Sequence, residues 1–72
     1  METSAFFVDL VGPKVFMLVG RFHEERDARA AYQTCRYNLV DRSKFSGAKL
    51  VKVTYLDGVP QDSAVLAQNT WG

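Results

Sequence analysis

The sequence predicts a small α+β domain: a three-stranded antiparallel sheet with one helix packed on one face and a short C-terminal appendage. Two observations predict this β-β-α-β order. Three short segments are rich in aromatic and β-branched residues. Between the second and the third, apolar residues recur at helical spacing. With 72 residues, 47% of them apolar and 24% charged, we expect one globular domain. Its ordered core is expected at about residues 5–57, with 58–72 as a tail or short helix.

Two strands are expected at the beginning of the chain. Residues 5–11 read AFFVDLV and residues 14–22 read KVFMLVGRF, and both segments have the composition of strands. A Gly-Pro pair at positions 12–13 separates them, and such a pair is typical of a turn. Two strands joined by two turn residues form a hairpin, in which Val11 would face Lys14.

A helix is expected over residues 23–42. Its apolar residues recur at spacings of three and four along one stripe: Ala28, Ala31, Tyr32, Cys35 and Leu39. Acidic residues near the beginning and basic residues near the end agree with the helix dipole. Because Cys35 lies on this stripe, we expect a buried, small apolar side chain rather than a nucleophile. A chain with a single cysteine forms no internal disulfide, which is typical of a reducing compartment.

A third strand is expected over residues 48–56, AKLVKVTYL, followed by a turn over residues 57–60, DGVP. Beyond the turn, either Asp62 or Ser63 caps one short turn of helix, or the tail is loose. A right-handed connection through the helix returns the third strand beside the first. We therefore expect the antiparallel strand order 2-1-3 in preference to 1-2-3, which would need a parallel pair.

Both faces of this predicted sheet are apolar. Alternation places one set under the helix: Phe6, Val8, Leu10, Val15, Met17, Val19, Val51, Val53 and Tyr55. The opposite set, centred on Phe7, Phe16 and Leu18, has no second helix to cover it. Because burial of a Phe or Leu side chain contributes roughly 1.5–3 kcal/mol, a contiguous exposed set predicts a partner-binding face. Two alternatives stay open: the tail, which carries Trp71, folds back over this face, or two copies pack through it.

The predicted sheet also has an open edge and a basic segment near it. In the order 2-1-3 the second strand is an edge, and residues 15–19 contain no charge, proline or glycine to block a partner strand. Basic residues concentrate further along the chain: Arg42, Lys44, Lys49 and Lys52. They would form a polar rim around the apolar face or contact the phosphates of a nucleic acid. The alternative is a solvated loop.

The remaining polar residues do not indicate catalysis. His23 and Asp27 are four residues apart and have no third ligand nearby in the sequence. The chain has no Gly-rich phosphate loop and no base beside a serine, so we expect no enzymatic activity and no cofactor or metal. The N-terminus lacks the pattern of a signal peptide, and no apolar run reaches the roughly 20 residues of a membrane helix. We therefore expect a cytoplasmic protein that does not enter a membrane.

A strand pair, a helix opened by acids and continued by alanines (HEERDARAAYQ), and a short alternating strand (KLVKVTY) follow one another over residues 5–57. This arrangement resembles small phage-encoded inhibitors of host bacterial RNA polymerase, which are compact β-rich domains with one helix. The resemblance implies a protein of the host cytoplasm that docks on a larger host protein, such as RNA polymerase or a defence complex. It assigns no binding residue.

Three functional hypotheses follow from the sequence. The first is a non-enzymatic protein-binding module that docks on a larger host protein through Phe7, Phe16 and Leu18. The second is an accessory protein that contacts nucleic acid through the basic residues. The third is a self-associating homodimer.

Overall fold

The computed structural model describes residues 1–37 and 45–70, and within them it has one antiparallel sheet and one helix. The elements are β1 (Glu2–Val11), β2 (Phe16–Phe22), α1 (Glu25–Tyr37), β3 (Gly47–Leu56) and β4 (Val59–Thr70). The sheet has four strands in the order β2-β1-β3-β4. The predicted three-stranded fold with a C-terminal appendage is therefore wrong. The segment expected as a tail or short helix is a strand of 12 residues that pairs along β3.

The fourth strand follows from the tight turn at residues 57–60, which joins β3 and β4 into a hairpin that was not predicted. Leu56 pairs with Val59, so the loop between β3 and β4 is Asp57-Gly58. Both loop residues have positive φ, 50° and 83°, as a type I′ turn requires. Pro60 has no N–H group to donate to a neighbouring strand. It is tolerated here because β4 is an edge strand.

The hairpin of β1 and β2 has a longer turn than predicted. Val11 pairs with Phe16 rather than with Lys14. The turn spans residues 12–15 and is closed by a hydrogen bond from the Gly12 amide to the Val15 carbonyl, 2.8 Å. A bulge at Val19 then shifts the pairing once more. The predicted register was wrong because a proline after glycine fits the second position of a four-residue turn as well as a two-residue loop.

The two faces of β3 are the reverse of those predicted. Val8 pairs with Leu50 and Leu10 with Ala48, so the even-numbered residues of β3 lie on the side of α1. Residues 51, 53 and 55 therefore face away from the helix, and their predicted position under it is wrong. Both faces of this strand carry apolar residues, so alternation did not distinguish them. Lys52 and Thr54, which alternate with these residues, lie on the side of α1.

The core lies between α1 and the centre of the sheet. On the helix, Ala28, Tyr32 and Cys35 are buried, as the predicted stripe required; Leu39 lies outside the described residues. They pack against buried residues of β1 and β3: Phe6, Val8, Leu10, Ala48 and Leu50. Leu66 and Ala67 of β4 join the rim of this core, which ties the fourth strand to it.

The helix is much shorter than the sheet. A helix of 13 residues is about 20 Å long, whereas the molecule extends over 41 Å in its longest dimension. The ends of the sheet therefore project beyond α1. In the part of the chain with assigned structure, no helix has the length and apolar character needed to cross a membrane.

Candidate protein-binding surface

The sheet face opposite α1 is called the open face here. Its apolar part comprises Phe7, Val11, Phe16, Leu18, Val51, Val53, Tyr55 and Val65. Cross-strand partners share a face, so Phe16 and Leu18, which pair with Val11 and Asp9, lie on the same side as Phe7. The structure thus brings the three predicted binding residues together. Phe16 is 63% exposed and Leu18 51% exposed, whereas Phe7 is partly buried.

The C-terminal segment does not fold over this face between residues 59 and 70. It adds β4 to the sheet beside β3, at the edge farthest from β2. The described helix packs on the other face, against β1, β2 and β3. Trp71 lies outside the described residues. The addition of β4 enlarges the open face instead of covering it.

Phe7 is shielded by Arg21, a residue that was not predicted to lie on this surface. The guanidinium carbon of Arg21 lies 6.0 Å from the centre of the Phe7 ring, at the outer limit of a cation–π contact. Arg21 pairs with Phe7 only because of the longer turn and the bulge at Val19. With the predicted two-residue loop, Leu18 would have taken this place. The signal that was missed is therefore the length of the turn.

A carboxyl group lies in the middle of the open face. Asp9 is only 7% exposed, between Leu18 on β2 and Lys49 on β3. Burial raises the pKa of Asp9, and the neighbouring Lys49 ammonium opposes part of this rise. The apolar surface thus has a titratable carboxyl group and a lysine side by side at its centre, and a partner would have to accommodate both.

The predicted basic rim is only partly within the described residues. Lys49 lies on the open face beside Asp9, near the centre rather than at the periphery. Lys52 pairs with Phe6 of the core and therefore lies on the side of α1. Arg42 and Lys44 are outside the described residues. The structure thus separates Lys49 and Lys52 onto opposite faces of the sheet.

The two edges of the sheet differ in how well they are protected. On the β2 edge, residues 15–19 form an uninterrupted apolar run whose side chains are 40–63% exposed. The β4 edge carries Pro60 and Asp62, and bulges at Gln61 and Leu66 interrupt its pairing with β3. Proline, charge and bulges are the usual means by which sheet edges avoid pairing with another chain. The β2 edge also has a bulge, at Val19, but it has no proline or charge from Val15 to Val19, so by this comparison it is the more accessible edge.

Comparisons of this chain with known proteins give no match. No protein-family model matches the sequence, and searches of curated proteins and of solved structures find no match. The resemblance to phage-encoded inhibitors therefore stays a prediction from the sequence. The candidate surface rests on the geometry of the sheet.

The side chains considered for chemistry lie elsewhere. Over residues 1–37 and 45–70, no group of three or more His, Cys, Asp or Glu side chains is placed to hold a metal ion. Cys35 lies on the face of α1 that packs on the sheet, and burial raises the pKa of its thiol. A buried thiol with a raised pKa is a poor nucleophile. The expectation that Cys35 is a small core residue is confirmed.

Proposed function

We propose that this protein is a small non-enzymatic binding module that docks through its open face on a larger protein of a bacterial host. One observation carries the proposal: Phe16 and Leu18 remain 63% and 51% exposed on a sheet face that α1 does not cover. Burial of such side chains by a partner contributes roughly 1.5–3 kcal/mol each when it is complete. An apolar centre with few charged groups is the usual composition of a protein interface.

The charged pair within the face supports a protein partner over a nucleic acid. Lys49 lies beside Asp9, so its positive charge is partly matched within the domain. A groove for phosphates would need a concentration of basic side chains without acids. The net charge of the chain is only +1. For these reasons the nucleic-acid hypothesis is the weaker of the two.

The resemblance noted in the sequence gives the class of partner. Phage-encoded inhibitors of RNA polymerase act in the host cytoplasm by docking on a large enzyme. We infer the same mode of action for this protein: it modulates a host enzyme by occupying part of its surface and supplies no catalytic group of its own. The partner class depends on the resemblance, whereas the docking face depends on the geometry.

The test is affinity capture from a bacterial lysate with three forms of the full chain. Wild type is compared with Phe16→Asp, which places a charge at the most exposed aromatic side chain of the open face. The control is Val59→Asp, because Val59 is similarly exposed, at 57%, but begins the strand at the opposite edge. We expect wild type and V59D to recover the same protein. F16D should recover at least about 10-fold less, as expected for an aromatic side chain that a partner buries.

Equal recovery of that protein by F16D and wild type would show that the open face is not the docking surface. The salt dependence of binding to the recovered partner then distinguishes the hypotheses. Sheet-face docking should change little with salt, because the exposed apolar side chains carry no charge. Binding that weakens steeply with added salt would instead favour nucleic acid.

A further inference from the structure

The free edge of β2 presents a defined set of backbone groups. The hydrogen bond between the Gly12 amide and the Val15 carbonyl marks these two residues as a hydrogen-bonded pair. Such pairs alternate along an antiparallel ladder. Leu10 and Met17 therefore form the next hydrogen-bonded pair, whereas Phe16 and Leu18 belong to non-hydrogen-bonded pairs. It follows that the N–H and C=O groups of Phe16 and Leu18 point away from β1, toward the free edge.

We propose that this edge binds β2 of a second copy of the chain, antiparallel, around a two-fold axis at Met17. The result is a homodimer with one continuous sheet through both copies. This inference goes beyond the proposed function, because it concerns the backbone edge of β2 and not the open face. It does not require that the open face bind a host protein.

The hydrogen-bonding pattern permits an axis at Met17, and the position of the apolar run favours it. In that register, Phe16 of each copy lies opposite Leu18 of the other, and each such pair exchanges both of its N–H···O bonds. The regular part of the exposed apolar run then pairs with itself, Phe16 against Leu18 and Met17 against Met17, and the bulge at Val19 lies at the end of this paired segment. An axis at Phe16 would instead place the charged Lys14 opposite Leu18.

Charge and packing are compatible with this register. Lys14 falls opposite Gly20 of the second copy, so no like charges meet across the axis. Neighbouring strands are about 4.8 Å apart, which places the two β1 strands about 14 Å apart. Because α1 lies over β1 and its neighbours β2 and β3, the two helices are separated by more than the roughly 8–10 Å at which helices pack. They do not clash.

A second copy fits this edge because the apolar run is complementary to itself under a two-fold axis, as a symmetric dimer interface requires. The assembly also closes. Pro60, Asp62 and the bulges protect the outer β4 edges, so the continuous sheet ends after two copies. A contact through one strand buries less than the roughly 800 Å² per partner of a standard interface. We therefore expect dissociation in the micromolar range.

The first test is sedimentation velocity of the full chain over a series of micromolar concentrations. We expect the wild-type mass to rise from 8.1 kDa to twice that value. Leu18→Pro should remain monomeric, because proline removes an outward N–H while the hydrogen bonds between β1 and β2 are kept. Leu18→Ala keeps this N–H and should still dimerise. The circular dichroism spectrum of each variant checks that it is folded. Wild type that remains at 8.1 kDa at every concentration would overturn the proposal.

The second test identifies the register by oxidative cross-linking. In a non-hydrogen-bonded pair the Cα atoms are about 4.5 Å apart, within the range of roughly 4.4–6.8 Å that a disulfide spans. Met17→Cys should therefore form a disulfide-linked dimer within minutes. Ala64→Cys, an exposed position on β4, and wild type with its buried Cys35 should not. Cross-linking of M17C no faster than that of A64C would overturn the proposed axis.

The outcomes also separate this proposal from the proposed function. If wild type is monomeric and captures a host protein that F16D does not capture, the dimer proposal fails and the open-face docking stands. A dimer cross-linked through Met17 whose capture of host protein is unaffected by F16D would support the dimer alone.

Discussion

Asp9 shows how one side chain can act against stability in an otherwise apolar setting. Its carboxyl group is nearly buried between β2 and β3, and burial raises its pKa above the ordinary value of 3.8. An acid with a raised pKa in the folded state stabilises that state only while it is protonated. The contribution is complete below the unfolded-state pKa and is lost as the pH rises through the folded-state value. The ionised form is therefore an energetic cost near neutral pH.

Replacement of Asp9 by asparagine removes this titration. We expect the free energy of unfolding of Asp9→Asn, relative to wild type, to increase as the pH rises from about 3 to about 7. The amide side chain changes the free energy of unfolding by an amount that does not depend on pH. The quantity to compare is therefore the slope of the free energy of unfolding against pH. Urea unfolding at a series of pH values measures it. Parallel profiles for the two proteins would contradict the assignment.

Lys49 provides the matched control for this prediction. Its charge lowers the pKa of Asp9 against the effect of burial. Lys49→Met keeps most of the side-chain length without the charge, so the pH-dependent loss of stability in this variant should exceed that of wild type. In the Asp9→Asn background the same substitution should leave the slope between about pH 3 and 7 unchanged.

At the scale of elements, the β3–β4 hairpin depends on its two-residue turn. Gly58 has φ of 83°, and a Cβ atom built there meets no other atom within 4 Å. A substitution at this position therefore affects the backbone conformation and not the packing. Left-handed backbone costs a residue with a Cβ about 1–2 kcal/mol, whereas asparagine tolerates it better because its side chain bonds locally.

We accordingly expect Gly58→Ala to lower the free energy of unfolding by about 1–2 kcal/mol, and Gly58→Asn to lower it less. Thermal and urea denaturation of the two variants beside wild type give the comparison. If the alanine and asparagine variants lost the same free energy of unfolding, the loss would not come from the left-handed backbone conformation at position 58. No loss in either variant would contradict the type I′ turn.

The two edge strands differ in how readily another chain could pair with them. β4 is protected by proline, charge and bulges, whereas the apolar run next to the turn of β2 is exposed. If both edges were open, a continuous sheet would add copies without limit. In the dimer proposed above, the one protected edge of each copy would stop addition at two copies. The asymmetry between the edges thus permits a specific contact and opposes aggregation.

At the scale of the whole molecule, β4 extends a small core and so contributes to the stability of the domain. A chain of this size buries only about 60% of the surface exposed in its unfolded state, so each strand matters for stability. Leu66 and Ala67 of β4 pack on the core, and β4 pairs with β3 from Gly47 to Leu56. Without this strand, β3 would become a second apolar edge.

We therefore expect a chain that ends at Asp57 to lose cooperative thermal unfolding, although it contains the whole of the originally predicted core. A chain that ends at Thr70 is the control, since it keeps all of β4. Circular dichroism melts and the dispersion of amide proton signals measure the difference. An Asp57 truncation that unfolds at the same temperature as the full chain would mean that β4 is dispensable.

Local patterns in the sequence were sufficient for part of this structure. The aromatic and β-branched segments placed β1, β2 and β3 to within a few residues, and the helical spacing identified the buried stripe of α1. The exposed set of Phe7, Phe16 and Leu18 was also placed on one face, because a shift of the register by two residues leaves the faces unchanged. Each of these features depends on residues that are neighbours in the chain.

Only the tertiary structure decided how the strands combine. The register of β2, the facing of β3 and the existence of β4 depend on pairing between segments distant in sequence, and an apolar strand fits such a sheet with either face inward. The presence of Lys49 beside Asp9, and of Arg21 over Phe7, followed from those registers. Alternation of apolar and polar residues does not identify the buried face of a strand when both faces are apolar. In this protein the second apolar face is also the candidate binding surface.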